Sequence, residues 1–362
     1  MKSIVRIATE GSCQQSCGMV RAVMPAYILN QSDFWNVAVK PISEFNMSDW
    51  VGTNVVIFQR VFDASLIPIV QELRKQGTRI VFDIDDALWL LPSQQSDPAF
   101  KQFSLTFTQR EALFEFMTRH VDLTIASTCE LETALHREAP KLLTTVVGNT
   151  ALPQFFNPAP RAEKQTFDVC WYAAQGHNHQ AEFIGEVFEK FLSSDGNENN
   201  RVHIVGPAAR FPKLRNLVDK YSNQIVLHSW IDYTKLGAFL NTMDCVVCPI
   251  IPHPFTICKS EIKAVESTMT NTPVLMSDVP QYRRFAYNVL TQREMDFALL
   301  PNNADMWVSH LLTHKYSPMP SLKNLHQRTN RVYGMTSMIQ QWTALLKQVL
   351  VDEVFYSQPF EV

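Results

Sequence analysis

Short apolar runs alternate with amphipathic stretches along most of this 362-residue chain. The apolar runs predict strands at 4–8, 36–40, 55–59, 79–83, 123–127, 145–148, 168–174, 201–205, 225–228, 245–250, 273–277 and 298–300. The amphipathic stretches predict helices at 18–29, 64–76, 98–119, 129–137, 179–193, 212–221, 233–243, 259–270, 304–313 and 335–351. Near-continuous apolar strands separated by helices predict an α/β protein whose parallel sheets are covered on both faces.

A proline-containing stretch divides the chain into two α/β runs. Residues 150–167 contain three prolines and lack periodicity, which is typical of a linker. The pattern predicts a Rossmann-like domain at 1–150, a linker at 151–167, a second Rossmann-like domain at 168–335, and a C-terminal helix and tail at 336–362 that packs back on the first domain. The two domains are expected to face each other across a cleft, with ligands at the carboxyl ends of the strands.

Composition and charge narrow the class of protein. Hydrophobic residues make up 46% of the chain and charged residues 19%, which is typical of a soluble globular protein. The net charge is −3, so the chain lacks the excess of basic residues that is typical of a non-specific nucleic-acid binder. The seven cysteines lack the paired spacing of a zinc site, so we expect free thiols in a reducing compartment. Neither a signal peptide nor an apolar run of membrane-spanning length is evident, and a cytoplasmic protein is expected.

The segment from Asp244 to Tyr282 carries the clearest candidate site. An apolar run ends in a proline-rich loop that is predicted to open onto a helix beginning near Lys259, with Ser260 beside it and Glu266 seven residues after Lys259. A helix N-terminus presents unpaired N–H groups and the positive end of a dipole, so it suits a phosphate. Glu266 would then face ribose hydroxyls. The alternative is a capped helix with an exposed lysine and a solvated glutamate.

Three carboxylates lie at the end of the predicted strand at 79–83. Asp83 and Asp85 share one strand face, and Asp86 is placed to cap the following turn. Carboxylates at a cleft are able to hold a sugar hydroxyl or take a proton from an acceptor. The Asp-x-Asp spacing also suits a hard cation, although supporting ligands are not evident nearby. Capping, cleft chemistry and metal binding all remain open from the sequence.

Two further loops precede helices at the expected cleft. In the first, Gly18 would let backbone approach a ligand and Arg21 lies one turn into the helix; an ordinary first-turn glycine and a surface arginine are the alternative. The glycine spacing of a dinucleotide-binding fingerprint is absent there. In the second loop, Gln175, His177 and His179 would overhang the cleft. His179 is a candidate for a phosphate or a sugar hydroxyl, with a helix-capping or plain loop histidine as the alternative.

A series of motifs, in order along the chain, carries a family resemblance. They are the turn with Cys17, Gly18, Arg21 and Pro25, then VVIFQR (55–60), FDIDDALW (82–89), IAST (125–128), VVGN (146–149), and CKSEIKAVES with TPVLMSDVPQY (258–282). Over roughly residues 4–315 the chain resembles GT-B glycosyltransferases, which consist of two Rossmann-like domains facing across a cleft. It most closely resembles the large retaining family 4, the glycosyl transferases group 1.

The resemblance implies a nucleotide-sugar donor of the UDP or GDP type bound mainly by the second domain, an acceptor bound mainly by the first, and neither a metal nor a cofactor. Together with the loops above, it places the donor on Gly18, His179, Lys259, Ser260, Glu261 and Glu266. The acceptor is placed on Arg21, Asp83 and Asp85. Catalysis is assigned to Asp85, Asp86 and Lys259.

Three departures from the family pattern are visible. The usual acidic pair, Glu-x7-Glu, has Glu266 as its second member but Cys258 at the first position. Gln175 and His177 stand in the region where the family often has an arginine and a lysine. Glycine is scarce, with 11 residues in all, so the glycine-rich first loop is reduced. Sugar identity and stereochemical outcome are therefore open.

The sequence favours a glycosyltransferase that moves a sugar from a nucleotide diphosphate sugar to an acceptor hydroxyl, with retention of configuration. A bacterial envelope glycan or glycolipid is the expected acceptor, and hydroxymethylated bases in DNA, as glycosylated by some phage enzymes, are the alternative. A nucleotide-sugar epimerase and a non-catalytic nucleotide-sugar-binding protein are alternatives of other classes.

Overall fold

The computed structural model describes residues 2–13, 16–91, 105–173, 178–206, 211–317 and 324–351. Within these ranges the chain forms two parallel six-stranded β-sheets with flanking helices. The predicted α/β fold with two Rossmann-like units is confirmed. Gln175 and His177, which the sequence placed above the cleft, lie outside the described residues.

The first sheet has the strand order β2-β1-β3-β4-β5-β6, with all neighbours parallel. Its strands are β1 (Ser3–Thr9), β2 (Trp35–Pro41), β3 (Val55–Gln59), β4 (Arg79–Ile84), β5 (Leu123–Ala126) and β6 (Thr144–Val146). The central strands β3, β4 and β5 are buried along their whole length. Their apolar runs supply side chains to both faces of the sheet, as a covered parallel sheet requires.

Helices pack on both faces of this sheet. They are α1 (Ser16–Gly18), a π-helical turn (Met19–Val23), α2 (Met24–Leu29), α3 (Ile67–Lys75), α4 (Phe107–His120) and α5 (Cys129–Glu138). The single helix predicted at 18–29 is therefore interrupted by the π-helical turn. Thr128 caps α5, because its hydroxyl accepts a hydrogen bond from the Leu131 N–H at 3.0 Å.

The second sheet has the strand order β12-β11-β10-β7-β8-β9 and is also parallel. Its strands are β7 (Phe167–Tyr172), β8 (Asn200–Val205), β9 (Ile225–His228), β10 (Cys245–Cys248), β11 (Val274–Ser277) and β12 (Leu299–Leu300). The helices that follow are α6 (Asn178–Ser193), α7 (Pro212–Lys220), α8 (Tyr233–Leu240), α9 (Pro254–Ile257), α10 (Ile262–Met269), α11 (Pro280–Val289), α12 (Gln292–Ala298), α13 (Ala304–Tyr316), α14 (Leu325–Tyr333) and α15 (Met335–Val351). Helices α11, α12 and α14 were not predicted.

The C-terminal helix α15 lies against the first domain. It packs on α2 and buries Trp342 and Leu346. The Gln341 Oε1 atom accepts a hydrogen bond from the Gly148 N–H at 2.8 Å. The chain therefore ends its described part on the domain in which it began.

The chain passes between the domains twice, at the linker that begins with Ala151 and again at Gly334, and the two passages lie side by side. Gly334 joins α14, which packs on α10, to α15. A Cβ atom at this position would lie 2.4 Å from the Asn330 carbonyl oxygen, so glycine is required. The Tyr333 carbonyl accepts a hydrogen bond from the Ala151 N–H at 3.0 Å, and Ala151 begins the linker. In the described part of the chain, no helix is both long and apolar enough to cross a membrane.

Candidate active site

The carboxyl ends of strands from both sheets meet around a cavity of about 190 Å³. The first domain lines it with Cys17, Val20, Arg21, Asp85, Asp86 and Asn149. The polar and aromatic groups of the second domain are Tyr172, Gln180, Trp230, Tyr233, Lys259, Ser260, Lys263, Glu266 and Tyr282. The structure thus brings together six residues that the sequence placed at a cleft: Arg21, Asp85, Asp86, Lys259, Ser260 and Glu266.

Asp85 lines the cavity with a largely buried carboxylate. Its side chain is 9% exposed, and its buried Oδ1 atom lies 3.6 Å from the Arg60 guanidinium but has no hydrogen-bond partner among the described residues. Burial acts to raise the pKa of this carboxyl, but Arg60, the Cys17 thiol and other nearby groups outweigh burial and hold the pKa below its usual value. Asp85 is therefore ionised at neutral pH.

Arg60 is a site residue that the sequence analysis missed. It follows directly on β3 with φ of +60°, the left-handed region that non-glycine residues rarely occupy. Its N–H donates to the Asp83 carbonyl at 2.9 Å, and its guanidinium lies 3.3 Å from Glu10 and 3.6 Å from Asp85. Strained backbone held by such contacts clusters at functional sites. Only its place in the VVIFQR motif drew attention to it.

Asp86 and Lys259 form a salt bridge across the cleft. The Lys259 Nζ atom lies 2.9 Å from Asp86 Oδ1, and the two side chains are 17% and 20% exposed. The ammonium group also lies over the Phe255 ring, 4.5 Å from its centroid. Asp86 therefore pairs with a cation of the other domain, and the predicted capping of the following turn is wrong, since that turn has no side-chain cap.

The helix predicted to begin at Lys259 in fact begins later. The short helix α9 precedes a loop at 258–261, and α10 starts only at Ile262. Lys259 and Ser260 consequently lie in the loop ahead of the helix N-terminus. The Ser260 hydroxyl accepts a hydrogen bond from Asn149 Nδ2 at 2.7 Å. Three side chains therefore join this loop to the first domain: Lys259, Ser260 and Cys258, whose thiol donates to the Glu130 carbonyl at 3.7 Å.

Arg21 and Asp83 form a buried ion pair. Arg21 is 1% exposed and Asp83 0%, and the guanidinium Nε lies 3.2 and 3.1 Å from the two carboxylate oxygens. Arg21 also donates to the Val147 carbonyl at 2.6 Å and to Asn149 Oδ1 at 3.0 Å. Asp83 does not line the cavity. The pair supports the loop that carries Asn149, and the position of Asp83 does not support its assignment to the acceptor.

Glu266 lies at the second-domain wall of the cavity with two tyrosines. It is 3% exposed, and Tyr172 donates to its Oε2 atom at 2.7 Å. The Tyr233 hydroxyl also faces this carboxylate but has no hydrogen bond of good geometry within the described part of the chain. Burial raises the pKa of Glu266 to about 7, against the opposing effects of both tyrosines and Lys263. The carboxyl therefore titrates near neutrality.

Lys263 is a second cavity residue that the sequence analysis did not single out. It is the second residue of α10, and its ammonium lies 5.4 Å from the centroid of the Tyr172 ring. It forms no salt bridge with any residue that the structure describes. Burial lowers the pKa of Lys263 to about 8. No pattern in the sequence marked it, because a lysine early in a helix usually faces solvent.

The described structure does not place three of the residues assigned to the nucleotide-sugar donor at the cavity: Gly18, Glu261 and His179. A Cβ atom on Gly18 would lie 2.9 Å from Ser12 and Cys13 backbone atoms, so this glycine accommodates its own loop. Glu261 is the last residue before α10 and its side chain does not cap the helix; its carboxylate accepts hydrogen bonds from Arg284 at 3.3 Å and Tyr333 at 3.0 Å. Neither Gly18 nor Glu261 lines the cavity. His179 is the second residue of α6, but its side chain lies outside the described residues.

Cys258 stands where the family has a carboxylate, and it lies in the domain interface. It is 3% exposed and does not line the cavity. Its carbonyl accepts a hydrogen bond from Thr128 at 2.9 Å, and its thiol donates to the Pro254 carbonyl at 3.3 Å. Nearby, Arg284 binds Glu130 of the first domain at 2.8 Å. The thiol is therefore an interface group, and burial raises its pKa to about 11.

The described residues contain no cluster of three or more His, Cys, Asp or Glu side chains arranged to hold a metal ion. The three carboxylates at the end of β4 do not form such a cluster, because Asp83 pairs with Arg21, Asp85 with Arg60 and Asp86 with Lys259.

Comparisons with known proteins agree with this geometry. Residues 168–313 match the family model of Glycosyl transferases group 1. No curated protein sequence matches the chain. Sucrose-phosphate synthase from Thermosynechococcus elongatus is 14% identical with a TM-score of 0.68, over 96% of this chain and 99% of that one. The α,α-trehalose 6-phosphate synthase from Burkholderia multivorans is 11% identical with a TM-score of 0.60, over 100% of each chain.

A third similar structure is the pneumococcal O-GlcNAc transferase GtfA in complex with UDP and GlcNAc. It is 11% identical with a TM-score of 0.58, over 82% of this chain and 57% of that one. The two sheets facing across a cleft, together with these likenesses, define the GT-B fold. The chain therefore has the GT-B fold, and its second domain matches the family of glycosyl transferases group 1.

Proposed function

We propose that this glycosyltransferase moves a sugar from a UDP- or GDP-type nucleotide sugar to the hydroxyl of a glycan or glycolipid acceptor, with retention and without a metal. One observation carries the proposal. A single cavity holds two lysine ammonium groups, Lys259 and Lys263, from the second domain, and two carboxylates, Asp85 and Asp86, from the first. An anionic leaving group and a neutral nucleophile require this division of charge.

The donor is assigned to the second-domain wall. The diphosphate would lie at the N-terminus of α10, where Lys259, Ser260 and the backbone N–H groups converge. Glu266, held by Tyr172, would accept hydrogen bonds from the ribose. Trp230 is 44% exposed and lines the same wall, so its ring offers a surface for the base. The UDP in the similar GtfA structure supports a uridine nucleotide.

The reaction follows from how the charges are distributed. As the bond from the sugar to the diphosphate breaks, negative charge grows on the leaving oxygen, and Lys259 stabilises it. Lys259 is bound to Asp86 in the free protein, so the diphosphate displaces this carboxylate. The acceptor hydroxyl donates a hydrogen bond to the Asp85 carboxylate at the cavity wall, which orients it towards the sugar. No carboxylate stands where the family has its first acidic residue, so no enzymic nucleophile is assigned.

Donor screening tests this proposal. The full chain is heated with each of a panel of UDP- and GDP-sugars, and a saturating donor is expected to raise the unfolding temperature, because binding stabilises the folded state by mass action. The donor that binds is then incubated with and without candidate glycan acceptors. A glycosyltransferase forms a new glycoside only when the acceptor is present. Epimerised sugar without acceptor, or binding without turnover on any acceptor, would contradict the proposal.

Hydroxymethylated DNA is a second acceptor in that test. The second domain carries an exposed arginine, Arg283, but it pairs with Asp278 at 2.5 Å. The net charge of −3 disfavours a polyanionic acceptor. A glycan therefore remains the proposed acceptor, and labelled product on DNA would overturn that choice.

Arg60 should set the acid side of the pH profile. Because Asp85 must be ionised to accept a hydroxyl proton, activity is lost as pH falls through its pKa. Arg60 lowers that pKa. Replacing Arg60 with glutamine removes the positive charge, so the pKa of Asp85 rises and the acid limb of kcat/KM moves to higher pH. The measurement is the pH dependence of kcat/KM for the acceptor.

Two variants control for this effect. Arg60→Lys keeps the charge and is expected to restore much of the wild-type profile. Arg119→Gln removes an arginine that is 72% exposed on α4 and should leave the profile unchanged. An Arg60→Gln enzyme whose acid limb coincides with the wild type would show that Arg60 does not act through Asp85.

A further inference from the structure

We propose that Lys263 is a second diphosphate-binding cation, one that does not have to leave a carboxylate partner before it binds a ligand. The inference rests on the proposed function and extends it, because it names a residue that neither the sequence motifs nor the family match assigns to the donor. Lys263 and Lys259 lie four residues apart in the chain and line the same cavity.

The two lysines differ in their partners. Lys259 is neutralised by Asp86 at 2.9 Å, so it has to exchange one anion for another. The Lys263 ammonium forms neither a salt bridge nor a hydrogen bond within the described ranges. The ammonium lies 5.4 Å from the centroid of the Tyr172 ring, which attracts a cation. A cation confined without a counterion is costly, and an anionic ligand relieves that cost.

The surroundings of Lys263 favour an anion of more than one charge. Lys259 acts on it as a like charge, and both lie at the start of α10, where the helix dipole is positive. Glu266, the nearest carboxyl, is bound by Tyr172 and has a pKa of about 7, so it neutralises Lys263 only in part.

The test compares diphosphate and monophosphate binding by calorimetry with the full chain. UDP, GDP, UMP and GMP are titrated into the wild type, Lys263→Met, Lys263→Arg and, as a matched control, Lys235→Met, which changes an exposed lysine on α8. Lys263→Met is expected to weaken the binding of UDP or GDP by at least about tenfold, and that of the monophosphate by less. Lys263→Arg and Lys235→Met should bind within about threefold of the wild type.

A second measurement applies even if Lys263→Met fails to fold. The pKa of Lys263, about 8, means that the free ammonium loses its proton above that pH. Diphosphate affinity of the wild type should therefore fall as pH rises from roughly 7.5 to 9.5, whereas Lys263→Arg should retain it, because arginine stays charged. Lys259, Glu266, Cys170 and Cys248 face the ammonium, and they are the same in both proteins, so their titration cancels in the comparison.

The outcomes separate the two proposals. If the wild type binds UDP or GDP and Lys263→Met binds it equally well, Lys263 is not a diphosphate ligand and the proposed function stands. Identical pH dependence in the wild type and Lys263→Arg would overturn the inference in the same way. A wild type that binds neither nucleotide contradicts the proposed donor, and the role of Lys263 falls with it.

Discussion

Replacing Lys259 with alanine is expected to slow sugar transfer by roughly 10²- to 10³-fold, the loss typical of removing one preorganised group that stabilises a developing negative charge. The effect should fall mainly on kcat, because charge on the leaving diphosphate grows as the bond breaks. It also leaves Asp86 without its cross-cleft partner. Steady-state kinetics with the donor found by screening measures both kcat and the donor KM.

Two variants separate the catalytic effect of Lys259 from its pairing. Lys235→Ala removes an exposed lysine of the same domain and should transfer sugar at the wild-type rate. Asp86→Asn frees Lys259 without removing it, so donor binding should be as tight as in the wild type or tighter. Unchanged donor turnover in Lys259→Ala would remove Lys259 from the mechanism. A large loss of kcat in Asp86→Asn would instead support the catalytic role that the sequence assigned to Asp86.

Asp85→Asn is expected to reduce kcat for transfer by roughly 10²-fold or more, the contribution typical of a positioned general base. The amide keeps the size of the side chain but is a weaker acceptor and takes up no proton. Donor binding should change little, since the donor is assigned to the other domain. Rates of transfer are compared with rates of donor hydrolysis, because water needs less orientation than an acceptor hydroxyl.

The control for Asp85 is Asp63→Asn, which changes a solvent-exposed carboxylate of the first domain. Asp63 caps a helical turn, and asparagine is able to cap it as well. This variant should retain full activity. A normal kcat in Asp85→Asn would show that its carboxylate does not face the acceptor. A lower donor KM in Asp85→Asn would instead indicate that the Asp85 carboxylate lies against the diphosphate.

The strands were predictable because their signal is local. Runs such as VVIFQ in β3 and RIVFDI in β4 are apolar from end to end, and the structure buries every position of both. The start of α10 was not predictable in the same way. Pro254 begins a separate short helix, and the loop at 258–261 is fixed by contacts with the first domain, such as Ser260 with Asn149. Periodicity cannot register a contact between residues 111 positions apart.

The location of the candidate site was predictable from the sequence, but the partners with which its charged side chains pair were not. The ends of β4 and β10 had to lie near the cleft, so Asp85, Asp86 and Lys259 were found. That Asp83 would be buried by Arg21 depends on a partner 62 residues away. Arg60 escaped notice because its role follows from a left-handed backbone conformation that the sequence does not display. Lys263 escaped notice because its environment is created by packing against Tyr172.

The two adjacent crossings between the domains constrain how the enzyme can open. The linker at Ala151 and the turn at Gly334 are tied together by the hydrogen bond between Ala151 and Tyr333. Two covalent connections side by side act as a hinge that bends more easily than it twists, so substrate exchange is a swing about one line. The far side of the cleft travels furthest in such a swing. We therefore expect each closure to bring Asp86 and Lys259 back to the same contact.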